Sequence, residues 1–171
     1  MKILVTYYSG TGNTEKVANA IKEGIIGHEV DLISIKQVDP ILLNSYDIVF
    51  LGSGIYGFAI SRKITNFIKK APQLPEKFVF FYTHESSNPW PEAFKSISGI
   101  LKKNNCKLLG EFECCGENLK ATVDQRQAAM KNLSLDKKKE LEEHYRLVKG
   151  RPNDKDLENA ANFAESIIKK L

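Results

Sequence analysis

The sequence predicts an α/β protein built on a doubly wound parallel sheet, and three observations carry that expectation. Short apolar runs alternate with helix-periodic stretches along the 171 residues, an order that right-handed crossovers convert into a sheet with helices on both faces. The first apolar run passes into the first helical stretch through a turn rich in Gly, Ser and Thr. A later run ends in a segment that joins two glycines to aromatic residues, an odd composition for a solvent loop.

Residues 2–7 read as the first strand, because Ile3, Leu4 and Val5 form the unbroken apolar run of a strand covered on both faces. From Thr14 onward Val17, Ile21 and Ile25 recur at i+4 with Ala18 and Ala20 beside them, the stripe of a buried helix face. A second strand is expected over 29–35, where Val30, Leu32, Ile33 and Ile35 sit among polar residues, and a third over 47–52. Residues 77–82 and 106–114 give the fourth and fifth strands. Helices are expected over 61–70, with Ile64, Phe67 and Ile68 on one side, and over 91–103, with Phe94, Ile97 and Leu101. The last helix starts at an Asn153/Asp156 cap and buries Leu157, Ala160, Ala161, Ala164, Ile168 and Leu171. Between the fifth strand and that helix lies a polar insertion, residues 116–150, in which 135–148 is charged and helical in pattern.

Length and composition place the whole chain, 1–171, in one domain with room for a full core. No stretch approaches the 18 or so consecutive apolar residues of a membrane span, and no charged leader with a cleavable apolar segment opens the chain, so a cytoplasmic protein without membrane insertion is expected. Cys106, Cys114 and Cys115 form no C-x-x-C pair and read as small core residues in a reducing compartment. The net charge of +4 reads as dispersed rather than banked on one face, which argues against a nucleic-acid partner. Neither a metal-ligand spacing nor a nucleophile–base pair is visible.

The chemistry concentrates in three segments that leave the carboxyl ends of strands, where ligands of open parallel sheets bind. In the first, Ser9, Gly10, Thr11, Gly12, Asn13 and Thr14 open a helix. A helix start has unpaired N–H groups and about half a positive charge, so it suits an anion. Gly10 and Gly12 let the backbone come close to a ligand, and the hydroxyls of Ser9, Thr11 and Thr14 add donors. Asn13 stands where a nucleoside triphosphatase loop would need Lys, and Glu15 where a dinucleotide fingerprint would need its third Gly, so neither pattern fits. The second segment, Ser53, Gly54, Ile55, Tyr56, Gly57 and Phe58, could form a wall against a flat ring. Thr83, His84, Glu85 and Trp90 belong to the third.

The S-G-T-G-N-T turn, the G-S-G-I-Y-G segment and the ending Lys149-Gly150-Arg151-Pro152-Asn153 with Asp156-Leu157-Glu158-Asn159-Ala160 together resemble the flavodoxin-like FMN-binding proteins over nearly the whole chain. The resemblance implies a five-stranded sheet of order 2-1-3-4-5 with FMN at the switch point between strands 1 and 3. It makes Ser9 to Thr14 a phosphate loop that works through neutral dipoles, and sets Ser53, Gly54, Ile55, Tyr56 and Gly57 along the flavin edge and one face. Tyr56 would stack and Gly57 would lie beside flavin N5; Thr83, His84, Glu85 and Trp90 would serve the other face and the pyrimidine end. Read without the family, Tyr56 is a loop aromatic, Trp90 packs a helix, and His84 is a surface histidine. The chain departs from many members in being basic, in lacking an obviously aligned Tyr in the third segment, and in an insertion without the usual aromatics. The implied function is an electron carrier between redox proteins, a reductase or ferredoxin-type donor and an acceptor. The alternatives are an FMN-dependent NAD(P)H oxidoreductase acting on quinones or similar acceptors, and a flavin-free interaction module.

Overall fold

A computed structural model, describing residues 1–86 and 92–171, gives six strands and six α-helices among those residues, with one 3₁₀ helix at Pro40–Ser45. In chain order they are β1 (Lys2–Tyr8), α1 (Asn13–Gly24), β2 (Glu29–Ser34), β3 (Ile48–Tyr56), β4 (Ala59–Ile60), α2 (Arg62–Lys70), β5 (Lys77–His84), α3 (Lys95–Lys103), β6 (Lys107–Cys115), α4 (Val123–Met130), α5 (Leu135–Val148) and α6 (Asp154–Ile168). The long strands pair in parallel in the order β2-β1-β3-β5-β6, while the two-residue β4 pairs antiparallel with the end of β3. With that short strand set aside, this is the expected 2-1-3-4-5 order.

Alternation along each strand sends neighbouring side chains to opposite faces, and the core divides accordingly. Leu4, Val49, Leu51, Phe78 and Phe80 pack under α2 and α3 through Ile64, Phe67, Ile97 and Leu101. Ile3, Val5, Phe50, Val79 and Phe81 pack under α1 and α6 through Val17, Ile21, Ala160 and Ala164. Each fully buried Ile, Leu, Val or Phe contributes roughly 1.5–3 kcal/mol of transfer free energy, which is why the apolar stripes fix the helix faces. Small residues bring α1 and α6 very close: a Cβ on Gly24 would lie 2.1 Å from the carbonyl oxygen of Ala161.

Several expectations need correction. β3 does not stop at residue 52 but runs to Tyr56, so Ser53 to Tyr56, read as a loop, form the end of a strand. Gly57 and Phe58 make the turn into β4 with φ of 55° and 76°, the doubly positive pair that a tight two-residue hairpin needs. The helix expected over 91–103 is found as Lys95–Lys103. In α6 the buried aliphatic is Ile167, in register with Ala160 and Ala164, whereas Ile168 is partly buried and Leu171 is exposed. Its cap is as expected, Asn153 and Asp156 each accepting the other's N–H. Cys114 is buried, but Cys106 and Cys115 are only partly so.

The insertion contains two helices rather than one, and among its helical residues only Val148 is buried. Its polarity therefore follows from how little of the sheet it covers. The cations are not dispersed as the sequence suggested: α2 carries Arg62, Lys63, Lys69 and Lys70 and no acidic residue. No helix among the described residues is long and apolar enough to cross a membrane.

Candidate functional site

The three expected segments converge at the carboxyl edge of the sheet because β1, β3 and β5 are neighbours there. The chain leaves β1 for α1 on one face and β3 for α2 on the other, so the connections diverge and leave a crevice. A cavity of about 350 Å³ fills it, bounded by Gly10, Thr11, Asn13 and Thr14, by Gly54, Ile55 and Tyr56, and by Thr83, His84 and Glu85. Ser9, Gly12, Ser53 and Gly57 do not line this cavity. Trp90 lies outside the described residues.

The turn before α1 is shaped by its own short side chains. Ser9 Oγ accepts the Gly12 N–H at 3.0 Å, and Gly12, at φ 91°, turns the chain into the helix in a conformation that costs other residues. No side chain caps α1, and the Thr11 N–H makes no hydrogen bond among the described residues. Thr14 Oγ1 lies 2.9 Å from Thr83 Oγ1, tying the turn to the end of β5. Buried Asn13 donates through Nδ2 to the Glu117 carbonyl at 2.7 Å, and its buried Oδ1 has no partner among the described residues.

Tyr56 spans the cavity mouth. Its hydroxyl accepts the Gly10 N–H at 2.8 Å and its ring stands 5.9 Å from that of Tyr8. Burial pushes the Tyr56 hydroxyl pKa up, only partly offset by the Gly10 N–H, so the phenol stays protonated at neutral pH. Ser53 faces inward, where its Oγ donates to the Gly54 carbonyl at 2.7 Å and accepts the Ser61 N–H at 3.0 Å. It pins the β3–α2 connection.

His84 is not the surface histidine that its composition suggested. It closes β5 with a buried ring, Nε2 against the Glu113 carboxylate and Nδ1 3.0 Å from the Ser86 carbonyl. A carbonyl only accepts, so Nδ1 carries hydrogen and the ring is oriented from both sides.

Sequence reasoning missed Gly116, Glu117, Asn118 and Lys120, which complete the cavity wall. The signal was available: they follow the fifth strand as the other three segments follow theirs. The Gly116 N–H donates to the His84 carbonyl at 2.8 Å, and a Cβ on Gly116 would come 2.7 Å from Asn13 Nδ2. Glu117 then locks the two ends of the insertion together. Its N–H donates to the Arg151 carbonyl, and its carboxylate accepts the Gly150 N–H at 2.8 Å and pairs with Arg126 at 3.3 Å. The Gly150 N–H, with help from Arg126, holds the Glu117 carboxyl below its usual pKa. Arg151 in turn makes a two-pronged pair with Asp156 at the start of α6.

This donor set fits a phosphorylated ligand. It offers free N–H groups at an uncapped helix start and the hydroxyls of Thr11 and Thr14. A doubly wound sheet with such a turn after β1 and a crevice between β1 and β3 defines a class, the α/β proteins that hold a phosphorylated ligand at the switch point. Within that class the chain belongs to the flavodoxin family, since the flavodoxin domain matches residues 4–165. It is similar to an uncharacterized protein of Methanocaldococcus jannaschii, 28% identical over 172 residues, covering 99% of each chain. It is also similar to BilS of Clostridioides difficile, a flavodoxin-like domain-containing protein, 30% identical over 182 residues, covering 99% of this chain and 98% of that one. Among solved structures, oxidised flavodoxin 2 of Bacillus cereus superposes with a TM-score of 0.67 at 22% identity over the full length of both chains, a likeness of fold.

Proposed function

We propose that this chain, acting as one cytoplasmic domain, binds FMN without a covalent link and carries electrons between redox proteins, a reductase or ferredoxin-type donor and an acceptor. The observation that carries this reading is the junction of the uncapped, uncharged turn over residues 9–14 with a cavity of about 350 Å³ walled by Tyr56 and the end of β5. The N–H groups of Thr11, Asn13 and Thr14 and the two threonine hydroxyls would hold the phosphate, aided by the α1 dipole. Ser9 and Gly12 would shape that turn from behind. Gly54, Ile55 and Tyr56 would form one wall of the ring site, with Gly57 at its rim, already at the positive φ that lets a peptide reorient there. Thr83, His84 and Glu85 would form the opposite end, where the Glu113 contact keeps the His84 ring fixed. Tyr56 would release the Gly10 N–H to a phosphate oxygen, exchanging one acceptor for a stronger one. Bound FMN supplies one- and two-electron transfer; the protein supplies orientation and electrostatics.

The test is the absorption spectrum of protein purified with FMN, followed by stopped-flow reduction. Flavin bands, slow reduction by NADH and NADPH, and fast reduction by a reductase or a reduced ferredoxin are expected of a carrier. Fast direct reduction by NADPH, with quinone turnover, would establish the oxidoreductase instead. A colourless protein that takes up no FMN would leave the interaction module.

A further inference from the structure

A second concavity, of about 340 Å³, opens between α2 and the segment that follows β2. Its floor is apolar, made by Ile35, Val38, Pro40 and Phe67, and its rim is Lys36, Lys63 and Lys70. Arg62 and Lys69 flank it on the same helix. None of these five cations joins an ion pair among the described residues, although eight pairs form elsewhere on the molecule. The nearest acid in sequence, Asp39, spends its carboxylate on the Ile41 N–H at 3.1 Å.

The placement of these charges is mixed for local stability, since Lys69 and Lys70 stand in the last turn of α2, where the helix dipole favours them. Arg62 and Lys63 occupy the first turn of α2, which has no acidic residue, so they face the positive end of the helix dipole. Mutual repulsion within the cluster adds to the cost. Folding gives no use for the cations at the start of α2, which meet no carboxylate among the described residues; a negatively charged partner does.

Its position says what kind of partner. Lys63 Nζ lies 4.6 Å and Lys36 Nζ 5.8 Å from the centre of the Tyr8 ring. Tyr8 stands 5.9 Å from Tyr56, which walls the first cavity. Only two aromatic rings separate the groove from the proposed flavin site.

We propose that this groove is the docking surface for an acidic redox protein, whose carboxylates meet Lys36, Lys63 and Lys70 while its own electron-carrying centre comes to rest beside Tyr8 and Tyr56. The inference rests on the carrier reading and deepens it, by giving the partner a charge and an address. An open apolar floor with long lysines at the rim suits the hydrophobic centre and charged margin of a transient protein interface. It offers no stacking platform of exposed aromatics for the bases of a nucleic acid.

The test is a titration of the FMN-loaded, ¹⁵N-labelled full-length chain with an oxidised acidic ferredoxin, with basic cytochrome c as the opposite-charge probe. Amide shifts are expected over residues 35–40 and 62–70, with affinity falling about tenfold between roughly 20 and 200 mM NaCl as screening shortens from about 20 Å to under 10 Å. The triple charge reversal Lys36→Glu, Lys63→Glu, Lys70→Glu should weaken ferredoxin binding at least ~10-fold and create binding to cytochrome c. The triple Gln variant should give an intermediate loss, with FMN affinity unchanged in both and a melting temperature no lower than that of wild type, since like-charge repulsion is relieved. Shifts confined to α4 and α5, ferredoxin affinity within about twofold of wild type after charge reversal, or tighter binding of a single-stranded oligonucleotide in the groove would overturn the proposal. Repeating the titration on flavin-free protein separates the two readings: docking without FMN uptake would sink the carrier and spare the surface, and the reverse would do the opposite.

Discussion

The turn over residues 9–14 and the groove beside α2 both suit negative charge, yet they are built by opposite means. The turn has no charged side chain; it works through backbone N–H groups and hydroxyls, in a turn held in place by Ser9, by Thr83 and by the contact of Asn13 with Glu117. The groove has no fixed donors of that kind and relies on long exposed lysines. Preorganised neutral donors hold one ligand in one geometry, and their partly buried setting protects them from salt. Exposed charges steer and select partners over a distance, and salt removes their effect. The proposed carrier role would call for both kinds, one for a cofactor that stays and one for a protein that must leave.

The sharpest way to break this contrast is to remove one hydroxyl from the turn. Thr14→Val should cost about 2 kcal/mol of FMN binding, some thirtyfold, because hydrogen bonds to a charged acceptor are worth roughly 1.5–3 kcal/mol. It should also lower the apoprotein melting temperature by a few degrees, since Thr83 Oγ1 loses its buried partner. Thr11→Val should weaken FMN by about tenfold and leave melting alone, because the Thr11 side chain makes no hydrogen bond among the described residues. Fluorescence quenching and thermal melts read both. Equal FMN affinity in wild type and the two variants would mean that the turn is only structural.

Tyr56 sharpens the comparison with a smaller effect. Tyr56→Ala should weaken FMN by about 1 kcal/mol through loss of a ring contact worth roughly 0.5–1.5 kcal/mol. Tyr56→Phe keeps the ring and frees the Gly10 N–H, so it should bind as tightly as wild type or up to about 1 kcal/mol better. If Phe weakens binding as much as Ala does, the hydroxyl rather than the ring faces the ligand.

The smallest effect is expected at Glu117, which supports the cavity without contributing a loop donor. Its folded-state pKa is lowered, chiefly by the Gly150 N–H, so its contribution to stability is complete above the ordinary carboxyl pKa near 4.5 and is lost as pH falls through the lowered value. Glu117→Gln should therefore show a flatter acid limb in a melting series from pH 7 to pH 3. A parallel offset at every pH would show that the carboxylate gains nothing from its charge.

What could be read from sequence was mostly what is contiguous. β1, the turn and α1 follow one another without a break, so an apolar run, a Gly/Ser/Thr turn and an i+4 stripe were enough to locate the turn that borders the cavity. Ser53 to Tyr56 looked like a loop because Gly and Ser disfavour strands, but pairing with β1, β5 and β4 overrides that preference. Glu117 reaches the site only because β6 runs beside β5, which brings its carbonyl to Asn13 from 104 residues away. The basic groove was hidden for the same reason. Lys36 and Lys63 are separated in sequence by the whole of β3 and β4, and only the fold sets both against Tyr8.

The turn before α1 is proposed to hold a phosphate through neutral, salt-insensitive donors. Titrating the flavin-free protein with FMN and with riboflavin, at low and high salt, tests it most directly. FMN should bind one to one and more tightly than riboflavin by orders of magnitude, since the helix dipole is worth up to ~2 kcal/mol and each charge-assisted bond roughly 1.5–3 kcal/mol. That preference should survive half-molar salt with less than about a threefold change in FMN affinity. Equal affinity for the two flavins, or an FMN preference that salt abolishes, would contradict the account.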